Sequence, residues 1–295
     1  MAIFVSMLKV GMIGSVASML THTRSLKNNR EVGIIGKSSV GLIGDEESRV
    51  LSFPEYNRRE LVDAADLLLV DRSSLLLPDL LKLAVRQNKH LYITDFPEIT
   101  PEQCADLLKL ADEAQTVVKI KNPLLCEPVT GYIASHWQEP ASLHIFESLP
   151  DLPHRNNLLL RYLYYSLSLF NSLPQKMRIS GIPQEGDGNF FINIRLDYPS
   201  YSTLNIDLLF QAPASRQVRA AFPGTFIDGN GFSGKALLNH HEINAMPPAD
   251  KGAADFTALI GQPDRYRHSD LEKFSTALNL LHELLRKIEL YTPWH

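Results

Sequence analysis

Residues 8–14 read LKVGMIG, a short apolar run that ends in glycine and predicts a buried parallel strand turning into a helix. A second run of this kind, EVGIIG, follows at residues 31–36 after a segment of helical length. The two runs and the segment between them predict one βαβ unit, for which a right-handed crossover is expected.

The same alternation continues for about a hundred residues. The runs DLLLV at 66–70, HLYIT at 90–94 and VVKI at 117–120 predict further buried strands. TPEQ at 100–103 is a capping box that marks the start of a helix. Alternating strands and helices predict a Rossmann-like domain with a doubly wound parallel sheet over residues 1–122.

Beyond about residue 140 the strands become longer and alternate between apolar and polar residues. The clearest are LHIFES, KMRISGI, NFFINIRLDY and STLNIDLLFQ. Residues 158–173 predict an apolar helix and residues 270–290 a long amphipathic one. We therefore expect an α+β domain over residues 123–295 with a large, mainly antiparallel open sheet, so that the fold class is α/β followed by α+β.

Composition excludes several classes of protein. The 295 residues are 44% hydrophobic and 21% charged, which is typical of globular chains and not of disordered ones. The net charge of −4 provides no general attraction to nucleic acid, and no apolar run reaches the roughly 18 residues that a membrane span requires. Cys104 and Cys126 form no CxxC motif, so we expect no metal and a reducing, cytoplasmic location.

The segment KHLYITDFPEITPEQCADLLKLADEA at 89–114 resembles the motif GKHVxxEKPxAxTxEEAxxLxxxAxxA of the Gfo/Idh/MocA family, which includes glucose-fructose oxidoreductase and inositol dehydrogenase. The similarity extends weakly through most of the chain. It implies an N-terminal NAD(P)-binding Rossmann domain and a C-terminal α+β domain whose open sheet mediates oligomers.

The dinucleotide-binding turn of this family needs glycines, because the backbone must approach the pyrophosphate closely. In GSVASM at 14–19 only Gly14 keeps its place, and we expect the side chain of Val16 to lie where a phosphate would sit. Basic and hydroxyl residues after the second strand favour NADP over NAD. The predicted cofactor is therefore none or weakly bound NADP. The candidate cofactor contacts are Gly14, Ser15, His22, Lys37 and Ser38, although a lone motif residue such as His22 is more often a core residue than a ligand contact.

The catalytic motifs of the family are also altered. Its E-K-P tripeptide is here Asp95, Phe96 and Pro97, so that Phe96 replaces the lysine that reaches the nicotinamide ribose and the substrate. The helix expected to carry D-x-x-x-H contains neither Asp nor His. The candidate catalytic groups are Tyr164 or Tyr165 as a substitute acid and Asp95, which is either a polar wall of a ligand pocket or a solvated carboxylate.

Two functions remain open. The first is a pseudoenzyme, a non-catalytic relative that acts in binding, sensing or assembly. The alternative is a divergent NADP-dependent oxidoreductase that acts on a sugar-like or polyol substrate with a rearranged site. Because function belongs to sites and not to folds, the altered motifs favour the non-catalytic relative.

One face of the predicted open sheet is suited to a protein partner. In NFFINIRLDY one face carries Phe190, Ile192, Ile194 and Leu196, and the other carries Phe191, Asn193, Arg195 and Asp197. Helices can cover only one face of such a sheet, and a mixed face that carries a Phe suits a partner. We expect a homodimer through this face and a small-molecule ligand at most, with no nucleic acid and no membrane as partners.

Overall fold

The computed structural model describes residues 7–26, 29–40, 52–71, 73–150, 155–183, 189–245 and 269–291. These residues form two compact units. The first unit contains the described residues up to Lys121 together with residues 269–275, and the second contains those from Asn122 to Ala245 and from Thr276 on.

The first unit is built on a parallel sheet of five strands. They are β1 (Leu8–Ser15), β2 (Val32–Val40), β3 (Leu67–Val70), β4 (His90–Ile93) and β5 (Val118–Ile120). The strand order is β2-β1-β3-β4-β5, and every neighbouring pair is parallel. All four residues of β3 are buried, as expected for a central strand with both faces covered.

Helices alternate with these strands. They are α1 (Val16–Leu26), α2 (Arg58–Ala64), α3 (Pro78–Arg86), α4 (Pro101–Glu113) and the first turns of α7 (Ser269–Tyr291). The capping box predicted at the start of α4 is confirmed: Thr100 Oγ1 accepts from the Gln103 backbone N–H, and the Gln103 side chain accepts from the Thr100 N–H. The doubly wound parallel sheet predicted from the sequence is therefore confirmed.

The second unit contains a mixed sheet of eight strands in the order β13-β12-β11-β10-β6-β9-β8-β7. Its strands are β6 (Ser142–Leu149), β7 (Lys176–Pro183), β8 (Asn189–Asp197), β9 (Thr203–Phe210), β10 (Ser215–Phe222), β11 (Thr225–Asn230), β12 (Lys235–Leu238) and β13 (His241–Asn244). Only β6 and β9 pair in parallel, and the other six pairs are antiparallel. The large, mainly antiparallel sheet is confirmed.

Helices lie on one face of this sheet. They are α5 (Pro128–His136), α6 (Arg155–Leu169) and the remainder of α7. On α7, Lys287 Nζ donates to the carbonyl of Met177 on β7. Burial alternates strictly along β9 and β10, with Leu204, Ile206 and Leu208 facing the helices. No helix of the described residues covers the opposite, open face of the sheet, as the period-2 pattern predicts. The side chain of Phe190 lies outside the described part of the chain.

A cluster of buried charges lies between the sheet and the helices of the second unit. Arg216 on β10 donates to Glu147 Oε1 on β6 at 2.9 Å and to Glu127, which precedes α5. Tyr162 on α6 donates its hydroxyl hydrogen to Oε2 of Glu147. The side chains of Arg216 and Glu147 are each 3% exposed. The guanidinium also lies 4.9 Å from the ring centre of Phe232. The hydrogen bonds of the cluster therefore connect β6, β10, α6 and the residue that precedes α5.

Candidate functional site at the carboxyl ends of the parallel strands

The order of the parallel strands reverses between β1 and β3. In doubly wound domains, ligands bind at the carboxyl ends of the strands where such a reversal occurs. Here those ends bring together Gly14 and Ser15 from β1, Asp71 after β3 and Thr94 after β4. This junction, which we call the switch point, is the candidate functional site of the first unit.

A glycine is required at position 14 because the side chain of Asp71 lies very close to its backbone. A Cβ built on Gly14 would lie 2.6 Å from the Cβ of Asp71, a distance that real Cβ atoms essentially never show. Gly14 is therefore needed at this point to make room for the side chain of Asp71.

Ser15 and Thr94 hold the carboxylate of Asp71 in place. Ser15 Oγ donates to Oδ2 of Asp71 at 3.2 Å, and Thr94 Oγ1 donates to Oδ1 at 3.0 Å. The backbone N–H of Asp71 donates to the carbonyl of Ile13 on β1 at 2.9 Å. Both oxygens of the half-buried carboxyl group are therefore oriented by hydroxyl groups from the neighbouring strands.

The N-terminus of α1 begins directly beside this carboxylate. Ser15 Oγ also accepts from the backbone N–H of Ser18 at 3.3 Å, as an N-cap residue does. The N-terminus of a helix attracts negative charge, and in this protein the negative group that lies near it is Asp71.

Val16 and Met19 do not obstruct the switch point. Their side chains are 2% and 1% exposed and belong to the hydrophobic core of the first unit, together with Met12 and Tyr92. The expectation that Val16 occupies the position of a phosphate is therefore wrong. The helix turns this position towards the sheet, and Asp71 is the group that faces the strand ends.

Lys37 and Ser38 lie within β2, which runs to Val40, and not after the second strand as the sequence predicts. Lys37 is bound by another carboxylate. Its ammonium group is 2.8 Å from Oε2 of Glu55 and donates to the carbonyl of Phe53 at 3.0 Å. Glu55 also accepts from the backbone N–H of Ser39 at 2.6 Å and from its hydroxyl at 2.9 Å. Burial raises the pKa of Glu55, but the bonds from Lys37 and Ser39 outweigh it, so that the pKa is lowered overall.

The two other candidate cofactor contacts lie on β2 and α1. Ser38 is half-buried on β2 between Lys37 and Ser39. His22 on α1 is 8% exposed, and its ring lies 6.1 Å from that of Tyr92 in an edge-on arrangement. His22 is thus packed in the interior of the first unit.

Asp95 and Phe96 follow β4 in the first unit. Asp95 is exposed, and its Oδ1 accepts from the backbone N–H of Phe96 at 3.0 Å. The half-buried ring of Phe96 packs against Phe274 on α7, with ring centres 5.5 Å apart. An aromatic contact therefore occupies the position at which the Gfo/Idh/MocA motif has a lysine.

Tyr164 and Tyr165 lie on α6 in the interior of the second unit, 2% and 0% exposed. The hydroxyl of Tyr165 donates to the carbonyl of Thr130 at 2.7 Å. Burial, together with the nearby charge of Glu127, raises the pKa of Tyr165 well above its usual value. This phenol remains protonated at neutral pH and is a poor proton donor.

Sequence analysis missed three residues of this site, namely Glu55, Asp71 and Thr94. A signal for Asp71 exists in the chain, because an Asp directly follows a four-residue buried run. No local signal marks Glu55, which contacts Ser39 from 16 positions away. Among the described residues, no group of three or more His, Cys, Asp or Glu side chains could hold a metal ion.

The switch point does not fit the dinucleotide that the resemblance implies. A pyrophosphate needs donors directed at it, whereas Ser15 and Thr94 direct their hydroxyls at Asp71. Two unit charges about 4 Å apart repel each other by roughly 4 kcal/mol at an effective dielectric constant near 20. That energy is about the difference between micromolar and millimolar affinity. The carboxylate therefore opposes a phosphate at this position.

The open face of the eight-stranded sheet is the second surface with functional features. Several of its charged side chains pair within the face: Arg219 lies 3.0 Å from Asp228, and Arg195 lies 2.7 Å from Asp197. A shallow groove of about 730 Å³ crosses this face near β11 and β12. The residues that line the groove include Phe146, Gln217, Asp228, Leu237, Glu242 and Asn244.

Comparison with known proteins shows the fold. No family model matches the sequence. No curated protein matches it either. The structure is similar to UDP-N-acetylglucosamine 3-dehydrogenase GnnA from Acidithiobacillus ferrooxidans, with a TM-score of 0.78 and 14% identity over 96% of this chain and 98% of that one.

Two further solved structures extend the comparison. A Gfo/Idh/MocA family oxidoreductase from Vibrio cholerae has a TM-score of 0.72 and 12% identity over 95% of this chain and 99% of that chain. Biliverdin reductase from Synechocystis, solved with biliverdin and NADP+, has a TM-score of 0.71 and 13% identity over 96% and 99% of the two chains. The chain has the two-domain fold of the Gfo/Idh/MocA oxidoreductases.

The length and hydropathy of the helices bear on whether the chain could span a membrane. Within the described ranges, no helix is long and apolar enough to cross a bilayer.

Proposed function

We propose that this chain is a non-catalytic relative of the Gfo/Idh/MocA oxidoreductases that acts by assembly through its C-terminal sheet. The observation that carries the proposal is the carboxylate of Asp71, held by Ser15 and Thr94 beside the N-terminus of α1. An oxidoreductase with this fold needs a dinucleotide at the switch point, and this arrangement opposes its phosphates.

The former catalytic positions support the same proposal. Phe96 packs against Phe274 and offers no group that could bind or transfer a proton. The hydroxyl of Tyr165 donates to a backbone carbonyl inside the second unit, and its raised pKa disfavours proton transfer near neutral pH. Replacement of the reactive groups by internal contacts is what we expect when the fold is retained for another purpose.

A titration of the purified protein tests the absence of cofactor binding. We expect calorimetry with NADPH and NADH to give dissociation constants weaker than about 1 mM, corresponding to roughly 4 kcal/mol of binding free energy. The melting temperature should likewise not rise at millimolar dinucleotide, since a ligand of the native state raises the apparent stability. A micromolar dissociation constant for either dinucleotide would refute the proposal.

The proposed assembly is a homodimer formed by the open face of the second unit. This face combines apolar side chains such as Phe226 and Leu237, 36% and 38% exposed, with charged groups that are already paired within the face. Two copies related by a two-fold axis would bury the apolar groups without placing unpaired like charges opposite each other. Light scattering should give twice the 33.2 kDa chain mass at micromolar concentration, and Phe226→Asp should shift it towards the monomer. A monomeric wild-type protein would rule out this assembly.

The second candidate function is a divergent NADP-dependent oxidoreductase for a sugar-like or polyol substrate. Lys37 and Ser38 in the second half of β2 favour it, because basic and hydroxyl side chains near the end of the second strand are typical of NADP enzymes. GnnA, to which the structure is similar, is a UDP-N-acetylglucosamine 3-dehydrogenase, and the biliverdin reductase structure contains NADP+. NADPH binding together with oxidation of a polyol would favour this alternative. We further propose a cytoplasmic location, which the presence of only two cysteines without a CxxC spacing supports.

A further inference from the structure

Two carboxylates of the first unit lie where the negative groups of a bound dinucleotide lie in doubly wound domains. Asp71 is beside the N-terminus of α1, where the pyrophosphate binds. Glu55 is beside Lys37 and Ser39 near the end of β2, where the ribose 2′ position is recognised. The two carboxylates are held by different residues on different strands.

We propose that Asp71 and Glu55 are specificity-determining residues, each of which excludes a different phosphate. Asp71 excludes the pyrophosphate that NAD and NADP share. Glu55 excludes the 2′-phosphate that NADP alone carries. The inference rests on the proposed function, because it explains how this fold avoids binding a dinucleotide.

The hydrogen bonds at Asp71 are those that a bound phosphate would need. The hydroxyls of Ser15 and Thr94 each donate to a separate oxygen of the carboxylate, at 3.2 and 3.0 Å. Replacement by Asn removes the negative charge and keeps one oxygen acceptor in a side chain of the same shape.

Glu55 engages the groups that would recognise a 2′-phosphate. Lys37 is 2.8 Å from one oxygen of Glu55, and its side chain is only 6% exposed. Ser39 uses both its N–H and its hydroxyl on the same carboxylate. While Glu55 is ionised, the positive charge of Lys37 is neutralised, so a second anion gains little from it.

The test compares Asp71→Asn, Glu55→Gln and the double variant by calorimetry with NADH and with NADPH. Asp71→Asn should tighten binding of both dinucleotides at least tenfold and by similar factors. Glu55→Gln in the Asp71→Asn background should then tighten NADPH at least tenfold further and leave NADH unchanged. The ratio of the two dissociation constants therefore reports Glu55 separately from Asp71.

Asp66→Asn is the matched control. Asp66 precedes β3 at the opposite end of the strand, where it accepts from the backbone N–H of Lys9 at 2.9 Å. Asp66→Asn removes the same unit of charge as Asp71→Asn. Because Asp66 lies at the end of β3 away from the switch point, the substitution should leave both dissociation constants unchanged. A gain with Asp66→Asn equal to that with Asp71→Asn would show a general charge effect and would overturn the inference.

The outcomes separate the two proposals. Micromolar binding by the wild-type protein contradicts the proposed function itself. Weak binding by the wild type with no gain in Asp71→Asn contradicts the role of Asp71 only, and an equal gain for NADH and NADPH from Glu55→Gln contradicts the role of Glu55 only. Circular dichroism verifies that each variant folds, and Asp71→Ser and Glu55→Ser replace any variant that does not.

Discussion

Replacing Arg216 by Met should destabilise the second unit strongly. Arg216 and Glu147 are each only 3% exposed, so both charges have lost most of their hydration. The guanidinium also contacts Glu127, and its pKa is raised: burial opposes its charge, but the two carboxylates more than compensate. Arg216→Met would leave Glu147 buried without its cation, whereas the apolar volume would be largely kept.

The expected cost follows from the kind of pair that is broken. Removing one partner of a buried ion pair costs about 3–5 kcal/mol, because the remaining charge is desolvated and uncompensated. For a domain of 150–250 residues, about 2–4 °C of melting temperature is lost per kcal/mol. We therefore expect the melting temperature of Arg216→Met to fall by roughly 6–20 °C.

Glu283→Gln is the control in the same unit. Glu283 lies on α7, where its side chain is 46% exposed and its carboxylate is 3.0 Å from the ammonium group of Lys287. Exposed pairs of this kind contribute about 1 kcal/mol or less. Chemical denaturation monitored by circular dichroism measures both variants. Adding Glu147→Gln to Arg216→Met should recover part of the loss, since the uncompensated charge is removed. Equal stability of the two single variants, within about 1 kcal/mol, would refute the reasoning.

Two further predictions concern the first unit. Thr100→Ala should lower the stability of the first unit by about 1 kcal/mol in urea denaturation, because the hydroxyl that caps the Gln103 N–H is lost. The control is Thr203→Ala on the open face, where the threonine hydroxyl contacts Ser142. Equal stability of the two variants would count against the capping role of Thr100. His90 should make stability depend on pH: burial lowers its pKa more than Asp66 raises it, and its Nδ1 accepts from the Val117 N–H at 3.1 Å. The neutral ring is thus favoured in the folded state, so this contribution is complete above about pH 6.5 and is lost as the pH falls below that value. The melting temperature between pH 7 and 5.5 should therefore fall less steeply in His90→Gln than in the wild type, and parallel curves would contradict the assignment.

The elements of the fold follow from short-range patterns in the chain. The run at 67–70 is apolar at every position, which predicts a strand buried on both faces, and all four residues are buried. The alternation in STLNIDLLF predicts which side chains face the helices, and Leu204, Ile206 and Leu208 do so. The location of a strand and the face to which each side chain points depend on residues two to four positions apart, so they can be predicted from the sequence.

The last four strands show where pattern analysis weakens. In the segment 215–244, β10 carries Arg216 at a buried position, and β12 and β13 have four residues each. A charged residue among buried ones and strands of four residues both obscure the period-2 signal. Pairing with neighbours already in the sheet stabilises such strands, and this depends on tertiary context.

The sequence by itself determined the doubly wound sheet of the first half of the chain, the sheet with one open face in the second half, and the loss of the usual glycine and lysine motifs. Tertiary structure alone decided what replaced them. Asp71 contacts Ser15 from 56 positions away because β1 and β3 are parallel neighbours, and only strand order makes them so. Val16 is buried because the first turn of α1 faces the sheet core. Parallel strands bring their carboxyl ends together regardless of separation along the chain, so the chemistry at that edge cannot be deduced from local patterns.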